Sequence, residues 1–248
     1  MSFSDYRTAV VTGASAGMGA AIVERFCKEG LTVHAIARRQ DRLDELAART
    51  GCIPHAMDMK DIDGLTKLLS NVEVDILVNN AGVGRVGNIT HASADDIDDL
   101  VDLNLRSVLQ ACRMVLPGMM ERDRGHIINI SSIAGHYNFG GNTMYHATKA
   151  AIHMLSQQLR IDVLGKRVRV TEICPGRVET EIFDRNHGVT KEEARKKYYE
   201  GYEVPSAEHI ADIAAFAIAM PSYVNLGLME VMSTFQVPGG LTTLKSNE

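Results

Sequence analysis

Apolar stretches alternate with amphipathic segments along almost the whole chain. The amphipathic segments, such as residues 38–50 and 93–120, carry charged residues at helical spacing. Several apolar stretches are nearly continuous hydrophobic runs, as expected when helices cover both faces of a parallel sheet. The alternation therefore predicts an α/β fold with a doubly wound parallel β-sheet flanked by helices on both faces. The seven predicted strands span residues 8–13, 31–38, 52–58, 74–82, 125–132, 167–176 and 227–234.

The chain contains no internal repeat, no low-complexity tract and no linker rich in proline, glycine and serine. We therefore expect its 248 residues to form a single domain, residues 1–248. One segment, at about 177–205, is long, highly charged and without a strand pattern. Long excursions from compact domains often serve as lids or substrate loops, and we predict that role here.

Composition narrows the possible partners. Hydrophobic residues make up 45% of the chain, charged residues make up 23%, and the net charge is −5. The acidic balance argues against a nucleic-acid partner. No apolar run approaches the roughly 20 residues that span a bilayer, and the first residues lack a signal-peptide pattern, so we expect no membrane partner. The four cysteines are scattered without a CxxC pair, which favours reduced thiols and a cytoplasmic location.

The sequence TGASAGMG at residues 12–19 places three glycines where the first strand turns into a helix. Gly13 permits the sharp turn, Gly17 lets a ligand approach the backbone, and Gly19 lets the helix pack close to the sheet. The free N–H groups at the start of the helix suit a pyrophosphate. A purely structural turn is the alternative. The position at the first strand–helix junction favours a Rossmann-type dinucleotide site.

The GxxxGxG spacing of this turn resembles that of the short-chain dehydrogenase/reductase family. Further motifs follow in the order and approximate spacing of that family: NNAG at 79–82, Asn104, Ser132, Tyr145 to Lys149, and Pro175-Gly176. The resemblance covers residues 8 to 235 and implies an oxidoreductase. In the glycine turn it implies cofactor contacts by Gly13, Ser15, Ala16, Gly17, Met18 and Gly19.

The end of the second strand indicates which dinucleotide binds. Members of the family that use NAD carry an acidic residue there, whereas this chain has Ala37 followed by Arg38 and Arg39. Guanidinium groups bind a 2′-phosphate through charge-assisted hydrogen bonds, so we predict NADP(H). A solvated helix start is the alternative for the two arginines. The resemblance adds Asp58 and Met59 near the adenine, and further cofactor contacts by Asn80, Ala81, Gly82, Tyr145, Lys149, Pro175, Gly176, Val178 and Thr180.

Tyr145 and Lys149 are four residues apart, which places them on one face of a helix. A neighbouring ammonium favours the phenolate, so we expect a lowered pKa for Tyr145 and a role as general acid or base. Ser132, at the end of the fifth strand, is predicted to hold the substrate oxygen. Asn104 resembles the family residue that positions a water linking Lys149 to solvent. No metal is expected, because the nine histidines show no ligand spacing.

For the substrate, the chain resembles the subgroup acting on small 3-hydroxy acids, including serine dehydrogenases. The matching stretches lie at 115–135, 140–150 and 220–232, whereas the stretch after Pro175 departs from the subgroup. A small anionic substrate requires a cation or several hydrogen-bond donors. The predicted substrate-binding residues are Ser132, His136, Tyr137, Asn142, Tyr145, Arg177 and Arg185.

Three other functions stay open. The enzyme alternatives are a sulfoacetaldehyde reductase forming isethionate and a 3-oxoacyl-carrier-protein reductase. The third is a dinucleotide-sensing protein without catalysis, which the presence of both Tyr145 and Lys149 disfavours. The family is commonly tetrameric through the helices near 93–123 and 142–164, so we expect a homo-tetramer.

Overall fold

The computed structural model describes residues 3, 5–84, 86–181, 190–237, 240 and 242–245. Within them, seven parallel strands form one sheet, and all seven predicted strands are confirmed. Each strand is shorter than its apolar run because the ends of the runs continue into turns. The strands are β1 (Thr8–Thr12), β2 (Thr32–Ala37), β3 (Ile53–Ala56), β4 (Ile76–Asn79), β5 (Gly125–Ile130), β6 (Val168–Pro175) and β7 (Leu228–Val231).

The strand order is β3-β2-β1-β4-β5-β6-β7. From β1 the chain adds β2 and then β3 on one side. It then crosses back, so that β4 pairs with the other edge of β1 and β5, β6 and β7 follow outward. The crevice at the carboxyl ends of β1 and β4 is therefore the switch point at which open α/β sheets bind ligands. Every residue of β4, β5 and β6 is buried, which agrees with their unbroken apolar patterns.

Helices cover both faces of the sheet, as predicted. The first face packs Val11 and its neighbours against α1, α2 and α8, and the second packs Val10 against α3, α5 and α6. Alternate side chains of each strand thus enter two separate hydrophobic layers. The described α-helices are α1 (Gly17–Lys28), α2 (Gln40–Thr50), α3 (Ile62–Ser70), α4 (Ala94–Val101), α5 (Ser107–Glu121), α6 (Thr143–Asp162), α7 (Lys191–Tyr198) and α8 (Ala207–Ala219).

The two ends of the charged excursion at about 177–205 lie next to each other. The backbone N–H of Glu179 donates to the carbonyl of Pro205 at 3.0 Å, which joins its two ends. Its described part contains α7, whose start is capped by Thr190 and Glu193 through a reciprocal capping box. The excursion is therefore anchored at its base beside β6. No helix among the described residues is both long enough and apolar enough to cross a bilayer.

Candidate active site

The glycine turn between β1 and α1 requires its glycines. Gly13 has φ +68°, and a Cβ there would lie 2.8 Å from the Cα of Ala81. A Cβ on Gly19 would collide with the carbonyl oxygen of Gly13. Asn80 fixes the turn by donating from Nδ2 to the Thr12 carbonyl at 2.9 Å. The turn is thus packed backbone to backbone against the chain that follows β4.

The first turn of α1 is left available to a ligand. The N-cap residue Ala16 makes no side-chain hydrogen bond to the helix, and the first turn carries no acidic residue. The N–H groups of a helix start need acceptors, and a phosphate supplies them. This uncapped start therefore fits the pyrophosphate that the sequence predicts.

A cleft of about 760 Å³ opens in front of this turn. It contains thirteen of the predicted cofactor residues, from the glycine turn, the end of β2, the chain after β3, the chain after β4, and the start of the excursion. They are Gly13, Ser15, Ala16, Gly17, Met18, Arg38, Arg39, Asp58, Met59, Asn80, Ala81, Gly82 and Thr180. The lining that the sequence analysis missed includes Lys60, Val83, Asp99, Leu103 and Glu181.

Arg38 and Arg39 differ in their surroundings. The Arg38 side chain is 68% exposed, and its Nη1 lies 4.0 Å from Asp58. Arg39 instead donates from Nε and Nη2 to the Ser15 hydroxyl, at 3.1 and 2.8 Å, and pairs with Glu181. Ala37 also lines the cleft. The β2 end therefore presents a guanidinium and no acid of its own, a donor set that fits a 2′-phosphate.

Ser132, Tyr145 and Lys149 come together where the chain after β5 meets α6. Ser132 follows β5 and caps the short 3₁₀ turn Ile133–Gly135, where its hydroxyl accepts from the Ala134 N–H at 3.1 Å. The same hydroxyl shares a hydrogen bond with Tyr145. Lys149 Nζ lies 5.6 Å from the centre of the Tyr145 ring. Three of the four predicted catalytic side chains thus form one group, the catalytic group, and Asn104 is the fourth.

Close backbone packing holds this group. A Cβ on Gly135 would lie 2.8 Å from the carbonyl oxygen of Lys149, so glycine allows the turn after Ser132 to rest on α6. Lys149 is buried, and its Nζ donates to the Ile130 carbonyl at the end of β5 at 2.9 Å. A Cβ on Gly82 would lie 4.0 Å from that Nζ. The catalytic group and the cofactor cleft therefore meet at Gly82.

Burial shifts the pKa values of both titratable groups. It lowers the pKa of Lys149 to about 8, although the nearby Cys174 and Glu172 oppose the shift. Burial raises the pKa of Tyr145, and the hydrogen bond with Ser132 offsets only part of that rise. A lowered pKa was expected for Tyr145 because of the neighbouring ammonium of Lys149. The structure contradicts that expectation, because desolvation of the phenol raises its pKa above the ordinary value.

Asn104 lies in a π-helical turn, Asp102–Arg106, inserted between α4 and α5. Such turns occur frequently at functional sites. The buried side chain accepts from the Val83 N–H at 2.9 Å and donates to the Val83 carbonyl at 2.8 Å. It also donates to the Thr148 hydroxyl at 3.3 Å. Asn104 therefore connects the chain after β4 to α6, one residue from Lys149.

The predicted substrate residues lie in different surroundings. His136 faces Cys174 and Glu172, and Tyr137 hydrogen-bonds to Glu230. Asn142 is the residue before α6, and its carbonyl oxygen contacts His146 Nδ1 at 2.8 Å. The half-buried guanidinium of Arg177 lies 5.3 Å from the centre of the Tyr202 ring. Arg185 lies outside the described residues.

Gly19 and five other predicted cofactor residues are not among the residues that line the cleft. Tyr145 and Lys149 belong to the catalytic group. Pro175 ends β6, Gly176 packs on the Gln236 side chain, and Val178 is buried in the core. The neighbouring Thr180 reaches the glycine turn, because a Cβ on Gly17 would lie 3.4 Å from its Cγ2. The chain after β6 thus approaches the cofactor cleft at Thr180.

A buried polar cluster that was not predicted from the sequence lies behind the catalytic group. Glu172 on β6 is completely buried and accepts from His153 Nδ1 on α6 at 2.8 Å. Cys174 and His136 complete the cluster. Burial and the Glu172 carboxylate raise the pKa of the Cys174 thiol. The available signal was the single glutamate inside the apolar run of the sixth strand.

Comparison with known proteins agrees with this geometry. A model of the short chain dehydrogenase family matches residues 7–189. An uncharacterized short-chain type dehydrogenase/reductase of Sinorhizobium fredii is 41% identical, over 95% of this chain and 94% of that relative. An NADP-dependent 3-hydroxy acid dehydrogenase of Salmonella typhi is 35% identical, over 96% of this chain and 99% of that relative.

A solved structure is similar over the whole fold. The closed form of serine dehydrogenase complexed with NADP⁺ matches with a TM-score of 0.89 at 35% identity, covering 96% of this chain and 100% of that one. The predicted family and subgroup resemblance are thereby confirmed. The chain belongs to the short-chain dehydrogenase/reductase family.

Proposed function

We propose that this protein is an NADP(H)-dependent oxidoreductase that interconverts a small 3-hydroxy acid, such as serine, with the corresponding carbonyl compound. The observation that carries the proposal is the hydrogen-bonded pair Ser132–Tyr145 beside Lys149, at the Gly82 end of the cleft. The relatives named above, an NADP-dependent 3-hydroxy acid dehydrogenase and a serine dehydrogenase, support the substrate class.

The chain offers a distinct group for each part of the dinucleotide. The uncapped start of α1 would receive the pyrophosphate, and Arg38 would pair with the 2′-phosphate. Asp58 and Met59 would border the adenine, while Asn80, Ala81 and Gly82 would border the path toward Lys149. When bound, NADP(H) accepts or supplies the hydride.

Tyr145 moves the proton. In reduction it donates its hydroxyl proton to the carbonyl oxygen, and in oxidation it takes the proton of the substrate hydroxyl. Because burial raises its pKa, Tyr145 is protonated at neutral pH, which is the state that reduction requires. Ser132 holds the substrate oxygen, and Lys149 supplies a positive charge beside the phenol. Asn104 holds the chain after β4 against α6 by hydrogen bonds to Val83 and Thr148.

The excursion at about 177–205 is proposed as the substrate loop. Two arginines of this segment, Arg177 and Arg185, were predicted to bind the substrate, and Arg177 is the one that the structure describes. Its half-buried guanidinium donates to the Tyr198 carbonyl at 3.3 Å, which ties the start of the excursion to α7. A carboxylate or sulfonate of the substrate would bind to such a positioned guanidinium through charge-assisted hydrogen bonds.

Initial rates with purified protein test the proposal. The panel compares NADP with NAD across L-serine, D-serine, 3-hydroxypropionate, 3-hydroxyisobutyrate and isethionate. We expect turnover of at least one 3-hydroxy acid with NADP and much slower turnover with NAD. Turnover of isethionate alone would instead indicate a sulfoacetaldehyde reductase. Activity confined to acyl-carrier substrates would indicate a 3-oxoacyl reductase, and NADP binding without any turnover would indicate a sensor.

We further propose a cytoplasmic homo-tetramer. All four cysteines are free thiols, which fits a reducing compartment. On the outer faces of α5 and α6, Leu109, Met154 and Ile161 are exposed. Apolar side chains grouped on two long helices favour contact with another copy. Analytical ultracentrifugation of the wild type should give a tetramer, and Met154→Glu should shift it to smaller species.

A further inference from the structure

Three side chains of the types that bind metals, from two segments of the chain, meet behind the catalytic group. Glu172 and Cys174 project from β6, and His136 lies in the loop after the Ser132 turn. Glu172 and Cys174 are completely buried, and His136 is half-buried. A carboxylate, a thiol and an imidazole are each established zinc ligands. Among the described residues, this is the group whose donor atoms lie close enough together to share one ion.

The distances between the donor atoms match a metal site. His136 Nε2 lies 3.2 Å from Cys174 Sγ and 3.6 Å from Glu172 Oε1, and Cys174 Sγ lies 3.2 Å from Glu172 Oε1. A point equidistant from the three atoms is about 1.9 Å from each, so an ion slightly out of their plane reaches the usual Zn–N, Zn–O and Zn–S distances. The triangle needs little rearrangement to hold a metal.

The surroundings orient these donors. His153 Nδ1 is 2.8 Å from Glu172 Oε2, which leaves Oε1 directed toward Cys174 and His136. Gln157 Nε2 lies 2.6 Å from His153 Nε2, so His153 with its proton on Nδ1 satisfies both neighbours. Hydrogen bonds from outside the ligand set commonly orient the ligands of metal sites in this way. His153 and Gln157 therefore hold the Glu172 carboxylate in an orientation that suits metal binding.

We propose that His136, Glu172 and Cys174 bind one Zn²⁺ ion, with a water as the fourth ligand. Binding displaces the thiol proton of Cys174 to solvent and leaves the imidazole proton of His136 on Nδ1. The ion takes no part in hydride transfer. It ties the loop that carries Ser132 to β6 and so fixes the position of the substrate-binding serine.

Cobalt titration of tag-free, reduced and chelator-treated protein tests the site without substrate or NADP(H). We expect one Co²⁺ per chain, with thiolate-to-cobalt charge-transfer absorption and visible bands of tetrahedral intensity, all abolished by added Zn²⁺. Cys174→Ser should remove the charge-transfer band. The matched control Cys112→Ser, at another buried free thiol, should retain it.

A second variant keeps the test decisive where Cys174→Ser does not fold. His136→Gln should weaken Co²⁺ binding by at least about tenfold, and the exposed control His91→Gln should leave it unchanged. Zn²⁺ should raise the melting temperature of the wild type and of His91→Gln, but not of His136→Gln. Absence of the charge-transfer band in the wild type, or its persistence in folded Cys174→Ser, overturns the proposal and leaves the cluster a hydrogen-bond network.

Discussion

The two ends of the active-site cleft are built in different ways. At the cofactor end, the glycine turn and the start of α1 present backbone, and Arg38 extends into solvent. At the catalytic end, Lys149 Nζ donates to the Ile130 carbonyl of β5, Tyr145 lies beside Ser132, and the buried Glu172 and Cys174 of β6 lie close enough to influence the pKa of Lys149. The first end depends on conformations that a short stretch of sequence dictates. The second depends on contacts between segments far apart in the chain. Substitutions at the two ends should therefore change different properties of the protein.

The largest effect is expected from Tyr145→Phe, which removes the proton donor and preserves the ring. Turnover should fall by about 10²- to 10⁴-fold, the usual contribution of a general acid or base. NADP affinity and melting temperature should stay close to those of the wild type. The comparison is steady-state kcat beside the control Tyr223→Phe, whose ring is exposed. Full turnover by Tyr145→Phe would mean that another group transfers the proton.

Arg38→Ala should affect the cofactor end alone. Loss of a charge-assisted contact to a phosphate costs about 1.5–3 kcal/mol, so NADP affinity should fall by roughly ten- to a hundredfold. Affinity for NAD, which lacks the 2′-phosphate, should hardly change. Fluorescence titration with both nucleotides measures the ratio. Equal losses for NADP and NAD would show that Arg38 does not read the 2′-phosphate.

Gly13→Ala should lower the free energy of unfolding by more than the unfavourable backbone angle alone would account for. A left-handed alanine costs about 1–2 kcal/mol, and its Cβ would also press on the Ala81 Cα. Gly30→Ala is the matched control, because Gly30 has φ +87° and open space around it. Urea denaturation of both variants isolates the contact. Equal losses of unfolding free energy would mean that the glycine turn relaxes around the methyl group.

Lys149→Met should change how stability depends on pH. Burial lowers the folded-state pKa of Lys149 to about 8, from an ordinary value near 10.4. Between these values the unfolded chain binds more protons, so Lys149 makes the unfolding free energy rise with pH, by at most about 1.4 kcal/mol per pH unit. Below pH 8 this contribution is flat. Denaturation at pH 7, 8, 9 and 10 should show that the wild type gains unfolding free energy relative to Lys149→Met as the pH rises. If the unfolding free energies of the two proteins change in parallel with pH, the lowered pKa of Lys149 is contradicted.

The smallest effect is expected from Glu181→Gln. Glu181 pairs with Arg39, Arg42 and Lys191 at the edge of the cleft, where a bound phosphate would compete for the same cations. Partly exposed ion pairs contribute about 0–1 kcal/mol, so NADP affinity should rise by at most a few-fold. Glu24→Gln, which breaks the exposed Arg49 pair, is the control. Weaker NADP binding by Glu181→Gln would show that the ion cluster supports the cofactor site.

Residues at the cofactor end were predictable because their signals are local. The glycine spacing and the pair Arg38-Arg39 can be read from a few neighbouring positions, and the cleft contains both. Asn79 shows the limit of such reading. Its neighbours in the NNAG motif line the cleft, whereas its own buried side chain donates to Asn129 of β5 at 2.8 Å and so braces the two strands. Only the register of β4 on β5 decides between these roles.

The sequence by itself determined the seven strands, the glycine turn and the pairing of Tyr145 with Lys149, because strand period, left-handed glycine and helical spacing are properties of short stretches. The tertiary structure decided what lies around them. It buried the phenol enough to raise its pKa, tied Arg39 to Ser15 and left Arg38 exposed. It also brought His136 and His153 to Glu172, because desolvation and cross-strand contacts depend on which distant segments pack together.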